Sequence, residues 1–349
     1  MSITVTAANS SYRKEGLQNE ISPIFIKGVA WKGQDTQIFG YFGKPQGSQE
    51  KYPAILLIHG GDGRAYDEWV KMWVEKGFIV LAPDLNAQMY GKDGDFTDNP
   101  LGGPKGYGSF TEDLADLENC WTRFCVRSLK ECAEYLHGLA EVDETKLFVH
   151  GISWGGYLTY HLLSECNVFT LAGISYTTAY LYLDPYWKAA GLTEKDMGAN
   201  YERWLNSLDP KNHISKISTP CIWARGINDA AFSSDLVNAT LDLFGENIVI
   251  PVFYREYLHN QEDGCCPPEI IAAIENAVIP KQNQSHTYTY SVVYTKSRCE
   301  YARDCIWEEE AIEQDEYLCY RKKEWSAWYF NKKDERGLIT STRVFYDGV

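Results

Sequence analysis

The chain has 349 residues, enough for one large domain with a smaller attachment, and its 44% hydrophobic and 23% charged side chains are those of an ordinary globular protein. Its 48 acidic against 33 basic residues give a net charge of −15, which repels phosphate backbones and anionic lipid head groups. Nucleic-acid and membrane partners are therefore set aside.

In chain order, Met1–Glu20 is polar and lacks the apolar core of a signal peptide, and no apolar run approaches the ~18 residues of a spanning helix. A cytoplasmic protein is predicted. Two strands are expected at Ile24–Trp31 and Thr36–Phe42, with Gly33, Gln34 and Asp35 turning between them. Ala54–Ile58 is a short apolar run of the kind buried on both faces, and it ends in His59-Gly60-Gly61-Asp62-Gly63. A helix carrying Trp69, Met72 and Trp73 on one face closes at Gly77, and Phe78–Ala82 is the next buried strand. A glycine-rich loop, 91–108, leads into a helical stretch from Phe110 to His137.

Strands at Lys146–His150, Phe169–Ser175, Pro220–Arg225 and Ile248–Leu258 then alternate with helices at Trp154–Ser164, Asp235–Phe244 and Pro268–Val278. Such alternation implies parallel crossovers and an α/β, doubly wound, mostly parallel sheet over 1–281. Beyond about Gln282 the period changes. Strands are expected at Thr287–Thr295, Tyr317–Arg321, Ser326–Phe330 and Leu338–Tyr346, with turns at Asn331–Gly337, making 282–349 a small antiparallel β appendix. The ten cysteines match no zinc spacing and are read as reduced thiols. No metal and no cofactor is assigned.

Chemistry concentrates at Leu147-Phe148-Val149-His150-Gly151-Ile152-Ser153-Trp154-Gly155-Gly156, which reads strand, G-x-S-x-G, helix. A sharp strand-to-helix turn strains the serine backbone and tolerates no bulk at Gly151 or Gly155. The helix after Ser153 aims its amides at the carbonyl oxygen under attack. A nucleophilic serine needs a base and an orienting acid, which in this architecture follow it in the order acid, then histidine, at later strand ends. Asp229, in Gly226-Ile227-Asn228-Asp229, and His259, in Leu258-His259-Asn260, stand in those places, with Asp235 as the alternative acid. His150 and His161 are read as structural, His213 precedes the acid strand, and His286 falls in the appendix. One oxyanion-hole amide is expected from Trp154, the other from Gly61 or Asp62.

These residues resemble the α/β-hydrolase superfamily, and more narrowly the acetyl xylan esterase and dienelactone-hydrolase-like branch related to the prolyl-oligopeptidase catalytic domain. The resemblance is carried by HGGDGRAYDEWV (59–70), GGPKGYGSF (102–110), GISWGGYLTY (151–160), GINDAAFSSD (226–235) and YFNKKDERGLITST (329–342). It implies a Ser-Asp-His esterase, and Ser153, Asp229 and His259 match its pattern one by one. Two departures stand out. Dienelactone hydrolases proper have a cysteine where this chain has Ser153, and the segment after His259 is more acidic than the usual glycine-rich continuation.

An aromatic-rich insertion at about 176–206 includes Tyr176, Tyr180, Tyr182, Tyr186, Trp187, Tyr201 and Trp204. Flat amphipathic rings near a serine suit a sugar face or an aromatic acyl group, so Tyr180, Tyr186 and Trp187 are the candidate substrate contacts; a lid packed as local core is the alternative. Trp154, next to the nucleophile, is expected to line the pocket. The appendix aromatics Trp307, Trp325 and Trp328 are read as core or interface packing, a homodimer contact included, and Glu308-Glu309-Glu310 as solvated surface. The leading function is a serine carboxylesterase removing a short acyl group from a small-molecule or carbohydrate ester. A peptidase of prolyl-oligopeptidase type is the alternative, although the stretch ahead of Ala54 is too short for that family's propeller. A binding protein on an inactive hydrolase fold is the third reading.

Overall fold

A computed structural model describes residues 3–47, 49–91, 94–106, 110–278, 287–297 and 304–347. His286 and parts of the predicted 91–108 loop lie outside them. Among the described residues the main sheet has nine strands: β1 (Thr4–Ala7), β2 (Ile21–Trp31), β3 (Gln34–Gly43), β4 (Tyr52–Ile58), β5 (Ile79–Pro83), β8 (Val142–Ile152), β9 (Leu171–Ser175), β10 (Cys221–Gly226) and β11 (Val249–Tyr254). A two-stranded hairpin, β6 (Gln88–Tyr90) with β7 (Phe96–Asp98), lies outside it. Strand order is β1-β2-β3-β5-β4-β8-β9-β10-β11. The first three strands are antiparallel, and all pairs from β5 to β11 are parallel. The chain thus combines a mostly parallel α/β sheet with a separate antiparallel sheet. Because β4, β8, β9, β10 and β11 run the same way, the loops after Ile58, Ile152, Ser175, Gly226 and Tyr254 meet on one rim, where ligands bind in open α/β sheets.

The long helices are α1 (Asp67–Glu75), α2 (Trp121–Gly138) and α3 (Trp154–Glu165). Short ones follow: α4 (Pro185–Ala189), α5 (Glu194–Met197) and α6 (Ala199–Ser207) within the insertion, then α7 (Val237–Leu241) and α8 (Gln261–Gly264), and the longer α9 (Pro268–Val278). Strand β4 is buried on both faces, as its apolar run requires, and so is the Leu147–Ile152 part of β8, whose first half is polar.

Several expected boundaries move, each for a local reason. Lys32 and Gly33 both take positive φ (50° and 76°), so the first hairpin has a two-residue turn and Gln34 and Asp35 join β3. The helix expected from Phe110 begins only at Trp121. Asp113 accepts from the Ala115 amide and Glu112 from the Trp121 amide (2.7 Å), so side-chain acceptors interrupt the helical ladder ahead of α2. Likewise β11 stops at Tyr254 where the exposed pair Arg255–Glu256 ends the apolar run, leaving His259 on a loop.

The appendix sheet contains β12 (Tyr288–Thr295), β13 (Glu308–Ile312), β14 (Ala327–Asp334), β15 (Ile339–Ser341) and β16 (Phe345–Tyr346). Tyr317–Arg321, expected as a strand, is not one. The acidic run Glu308-Glu309-Glu310 is instead an edge strand, where charge guards against pairing with another chain. The sheet docks on β11 and α7: the Phe253 amide donates to Ser341 Oγ (2.7 Å), and Asn238 Nδ2 to the Val344 carbonyl (2.6 Å). Among the described residues no helix is long and apolar enough to cross a membrane, and no group of three or more His, Cys, Asp and Glu is placed to hold a metal.

Candidate active site

Ser153 joins β8 to α3 with φ 55° and ψ −118°, a region that costs a non-glycine residue of order 1–3 kcal/mol. The turn is enforced from both sides. A Cβ on Gly151 would collide with Thr159 Oγ1 and the Gly155 carbonyl, and one on Gly155 with the carbonyls of Ile58 and His59. The Ser153 amide donates to the Ser175 carbonyl and its carbonyl accepts from the Tyr157 amide, both at 2.9 Å. The side chain is thus held at the N-terminus of α3, with the residue 8% exposed.

His259 Nε2 lies 2.8 Å from Ser153 Oγ, and its Nδ1 lies 3.0 and 3.1 Å from the two Asp229 oxygens. An ionised carboxylate only accepts, so Nδ1 carries the proton and Nε2 is left to accept from the serine hydroxyl. Asp229 is 3% exposed, and its Oδ1 also accepts from the amides of Ala231 (2.8 Å) and Phe232 (3.0 Å). Burial pushes this carboxyl up. The His259 hydrogen bond and charge, with the buried guanidinium of Arg225, outweigh that and hold it below the usual carboxylate range. Asp235, the alternative acid, is exposed and shares a hydrogen bond with Ser233 Oγ (3.0 Å).

The glycine loop packs against this line. A Cβ on Gly60 would stand 3.2 Å from Ser153 Cβ, so Gly60 is the residue that touches the serine, while Asp62 is exposed with φ 50°. His59 orients the loop. Its Nε2 accepts from the Leu85 amide (2.8 Å), so Nδ1 donates to the Gly60 carbonyl (2.7 Å). Burial keeps His59 neutral, its pKa lowered to about 4. With the Gly60 carbonyl tied down, the Gly61 N–H of the same trans peptide points the opposite way.

The aromatic insertion packs largely inward. Trp154 is 2% exposed and Trp187 7%, with centroids 5.0 Å apart, and Phe110, Trp121 and Tyr157 complete the cluster around Trp154. The Trp154 indole is therefore packed as core, where the sequence placed it on a pocket wall. Tyr186 is 43% exposed and rests edge-on against Trp187, and Tyr180 is half-buried with φ 60°.

The sequence profile of the Acetyl xylan esterase (AXE1) family matches residues 9–218. The chain belongs to that family. The matched span includes Ser153 and ends before Asp229 and His259. Two solved acetyl xylan esterases share the fold of this family member. That of Paenibacillus sp. R4 is 18% identical with a TM-score of 0.58, over 78% of this chain and 86% of its own. That of Thermoanaerobacterium sp. JW/SL YS485 is 17% identical with a TM-score of 0.60, over 79% and 87%. The Arabidopsis thaliana acylamino-acid-releasing enzyme is 25% identical over 144 residues, 36% of this chain. The chain spans 18% of that curated relative's length. The family member is a hydrolase.

Three residues at the site escaped the sequence reading. Tyr176, grouped there with the stacking aromatics, instead lies against His259 (centroids 4.3 Å apart, rings at 33°) and donates its hydroxyl to the carbonyls of Leu258 (2.6 Å) and Asn260 (3.1 Å). Phe232 stacks on the same imidazole at 5.7 Å. Arg225 is fully buried, donates to the Phe232 carbonyl and reaches Ser234 Oγ at 3.2 Å, which bends the acid loop around Asp229. Two signals were available. Tyr176 directly follows the strand between the elbow and acid strands, and Arg225 is a charge in an otherwise apolar strand run.

Proposed function

We propose that the protein is a serine carboxylesterase that hydrolyses short acyl esters, acetyl first among them, on a carbohydrate alcohol. The observation that carries the reading is the unbroken line from Ser153 Oγ through His259 to Asp229, with contacts of 2.8 and 3.0 Å, starting from a strained serine at a helix N-terminus. Ser153 Oγ attacks the ester carbonyl as its proton passes to His259 Nε2. Asp229 holds the imidazole in the accepting tautomer and stabilises the imidazolium. The amides of Trp154 and Gly61 hold the oxyanion; the pinned Gly60 carbonyl favours Gly61 over Asp62. The carbon–oxygen bond to the alcohol breaks as His259 returns the proton to the leaving oxygen. Water, deprotonated by His259, then releases the acid and restores Ser153.

A peptidase reading is favoured by the local match to the acylamino-acid-releasing enzyme, whose name describes release of an acylated amino acid. One experiment separates the two. Wild type and Ser153→Ala are assayed on p-nitrophenyl acetate, butyrate and octanoate, on acetylated xylan and on an aminoacyl p-nitroanilide. Acetate turnover that declines with acyl length and vanishes in the variant supports the esterase, and acetate release from xylan names the alcohol. Cleavage of the anilide moves the peptidase to first place.

A further inference from the structure

A cleft of about 360 Å³ opens between the start of α1, just past the glycine loop, and α8, just past His259. Arg64, Tyr66, Trp69 and Met72 line one side, and Gln261 of α8 with Cys265 just after it line the other. Gln261 is two residues past His259, and Arg64 follows the Gly60–Gly63 loop directly. The alcohol of an ester must approach His259 Nε2 to collect its proton, and the cleft wall at Gln261 begins two residues past that histidine.

Two hydrogen-bond donors in the cleft have nothing to donate to. The Arg64 guanidinium lies over the rings of Tyr66 (4.7 Å) and Phe96 (5.1 Å) and, among the described residues, makes no hydrogen bond or ion pair. Buried Asp84 feels its charge, yet among the described residues no carboxylate pairs with it, so its N–H edge is not taken up. A guanidinium seated on aromatic faces keeps its N–H edge open to a planar acceptor. Across the cleft, Gln261 Nε2 is buried with no acceptor among the described residues, a cost removed when the half-buried side chain turns its amide to an incoming oxygen. The two carboxylates at the cleft do not fill this need. Glu68 is committed to Lys14 at 2.6 Å, and Glu262 is exposed to solvent. Trp69, Met72 and Tyr66 supply an apolar floor for a flat body between the donors.

We infer that the cleft is a subsite for an alcohol that carries a carboxylate, which Arg64 and Gln261 bind while the ester oxygen faces His259. The inference rests on the esterase reading above. Its probes are 4-acetoxybenzoate, which hydrolysis splits into acetate and 4-hydroxybenzoate, and the neutral 4-acetoxybenzamide. Wild type, Arg64→Gln and Gln261→Leu are compared by the ratio of kcat/KM for the two esters. Loss of a charge-assisted contact lowers the benzoate preference by about tenfold or more, carried in KM. Gln261→Leu lowers the same ratio and serves if Arg64→Gln folds poorly. A ratio within about twofold of wild type in both variants overturns the subsite. Should wild type hydrolyse neither ester, the esterase reading falls, and calorimetric titration with 4-hydroxybenzoate still judges the cleft. Binding to wild type that weakens about tenfold in Arg64→Gln supports it, whereas equal binding or none overturns it.

Discussion

The molecule holds two serine–histidine contacts of similar length, Ser153 Oγ to His259 Nε2 at 2.8 Å and Ser175 Oγ to His150 Nε2 at 3.0 Å. Their surroundings reverse the chemistry. Ser175 donates its hydroxyl to the Gly264 carbonyl (2.8 Å), so His150 must donate through Nε2, and its Nδ1 is buried without a partner among the described residues. Burial lowers the His150 pKa to about 3. That pair is a strut between β8, β9 and the segment after His259. In the other pair, Asp229 accepts the hydrogen bond from Nδ1–H and leaves Nε2 free to accept from a strained serine at a helix N-terminus. The contact distance distinguishes nothing; the partner on the far nitrogen decides which histidine can act as a base.

The sharpest break of this comparison is to remove each serine. Ser153→Ala should lower kcat/KM on p-nitrophenyl acetate by about 10⁵-fold or more, while Ser175→Ala leaves it within about threefold, by initial rates on folded protein. Comparable losses from both would end the distinction drawn here. Next is the acid. Asp229→Asn offers Nδ1 an ambiguous partner, permits the wrong tautomer and should cost about 10⁴ in kcat with little change in KM. A loss below about tenfold would mean that another group orients His259.

A smaller effect is expected from Tyr176→Phe, which keeps the ring against His259 and deletes the hydroxyl bonded to the carbonyls either side of it. Loosening that loop should lower kcat by roughly ten- to a hundredfold. An unchanged kcat would show that stacking alone positions the imidazole.

The smallest effect concerns the strut and is read as stability. The unfolded chain protonates His150 near the ordinary value of 6.5, whereas the native state resists until about pH 3. Below about pH 6.5 the unfolded state therefore binds more protons, and stability falls as pH drops through that window. At pH 5 this amounts to roughly 2 kcal/mol from His150. His59, lowered to about 4, acts in the same sense and stays in the variant. Urea midpoints at pH 7.5 and 5.0 should therefore separate less for His150→Gln than for wild type. Equal separations would assign the acid sensitivity elsewhere.

How legible each part was in the sequence follows from the range of the interactions that build it. The alternation of buried strands and helices marked the sheet, because a strand covered on both faces has to be apolar throughout, as Tyr52–Ile58 is. Elements with polar ends were misjudged: Glu112 and Asp113 divert backbone amides ahead of Trp121, and the edge strand at Glu308 carries charge where a buried strand would carry valine. The appendix was visible as a change of period, whereas its docking on β11 through Ser341 and on α7 through Val344 was not.

At the site the elbow is only partly a local object. Gly151 is confined by Thr159 and Gly155, neighbours along the chain, so a short motif with its flanking strand and helix marks the turn, whereas Gly155 is confined by the distant Ile58 and His59 carbonyls, which only the formed sheet supplies. The order of serine, aspartate and histidine was likewise readable, since parallel strands bring successive strand ends to one rim. The setting of His259 was decided only by tertiary structure. The Tyr176 hydroxyl that holds its loop comes from 82 and 84 residues away in the chain, and the Trp154 ring, one residue from the nucleophile, turns into the core because Trp121 and Trp187 pack on it there. Sequence neighbours determine backbone strain and hydrophobic period, but which face of a ring is covered depends on residues that become neighbours only once the sheet has formed.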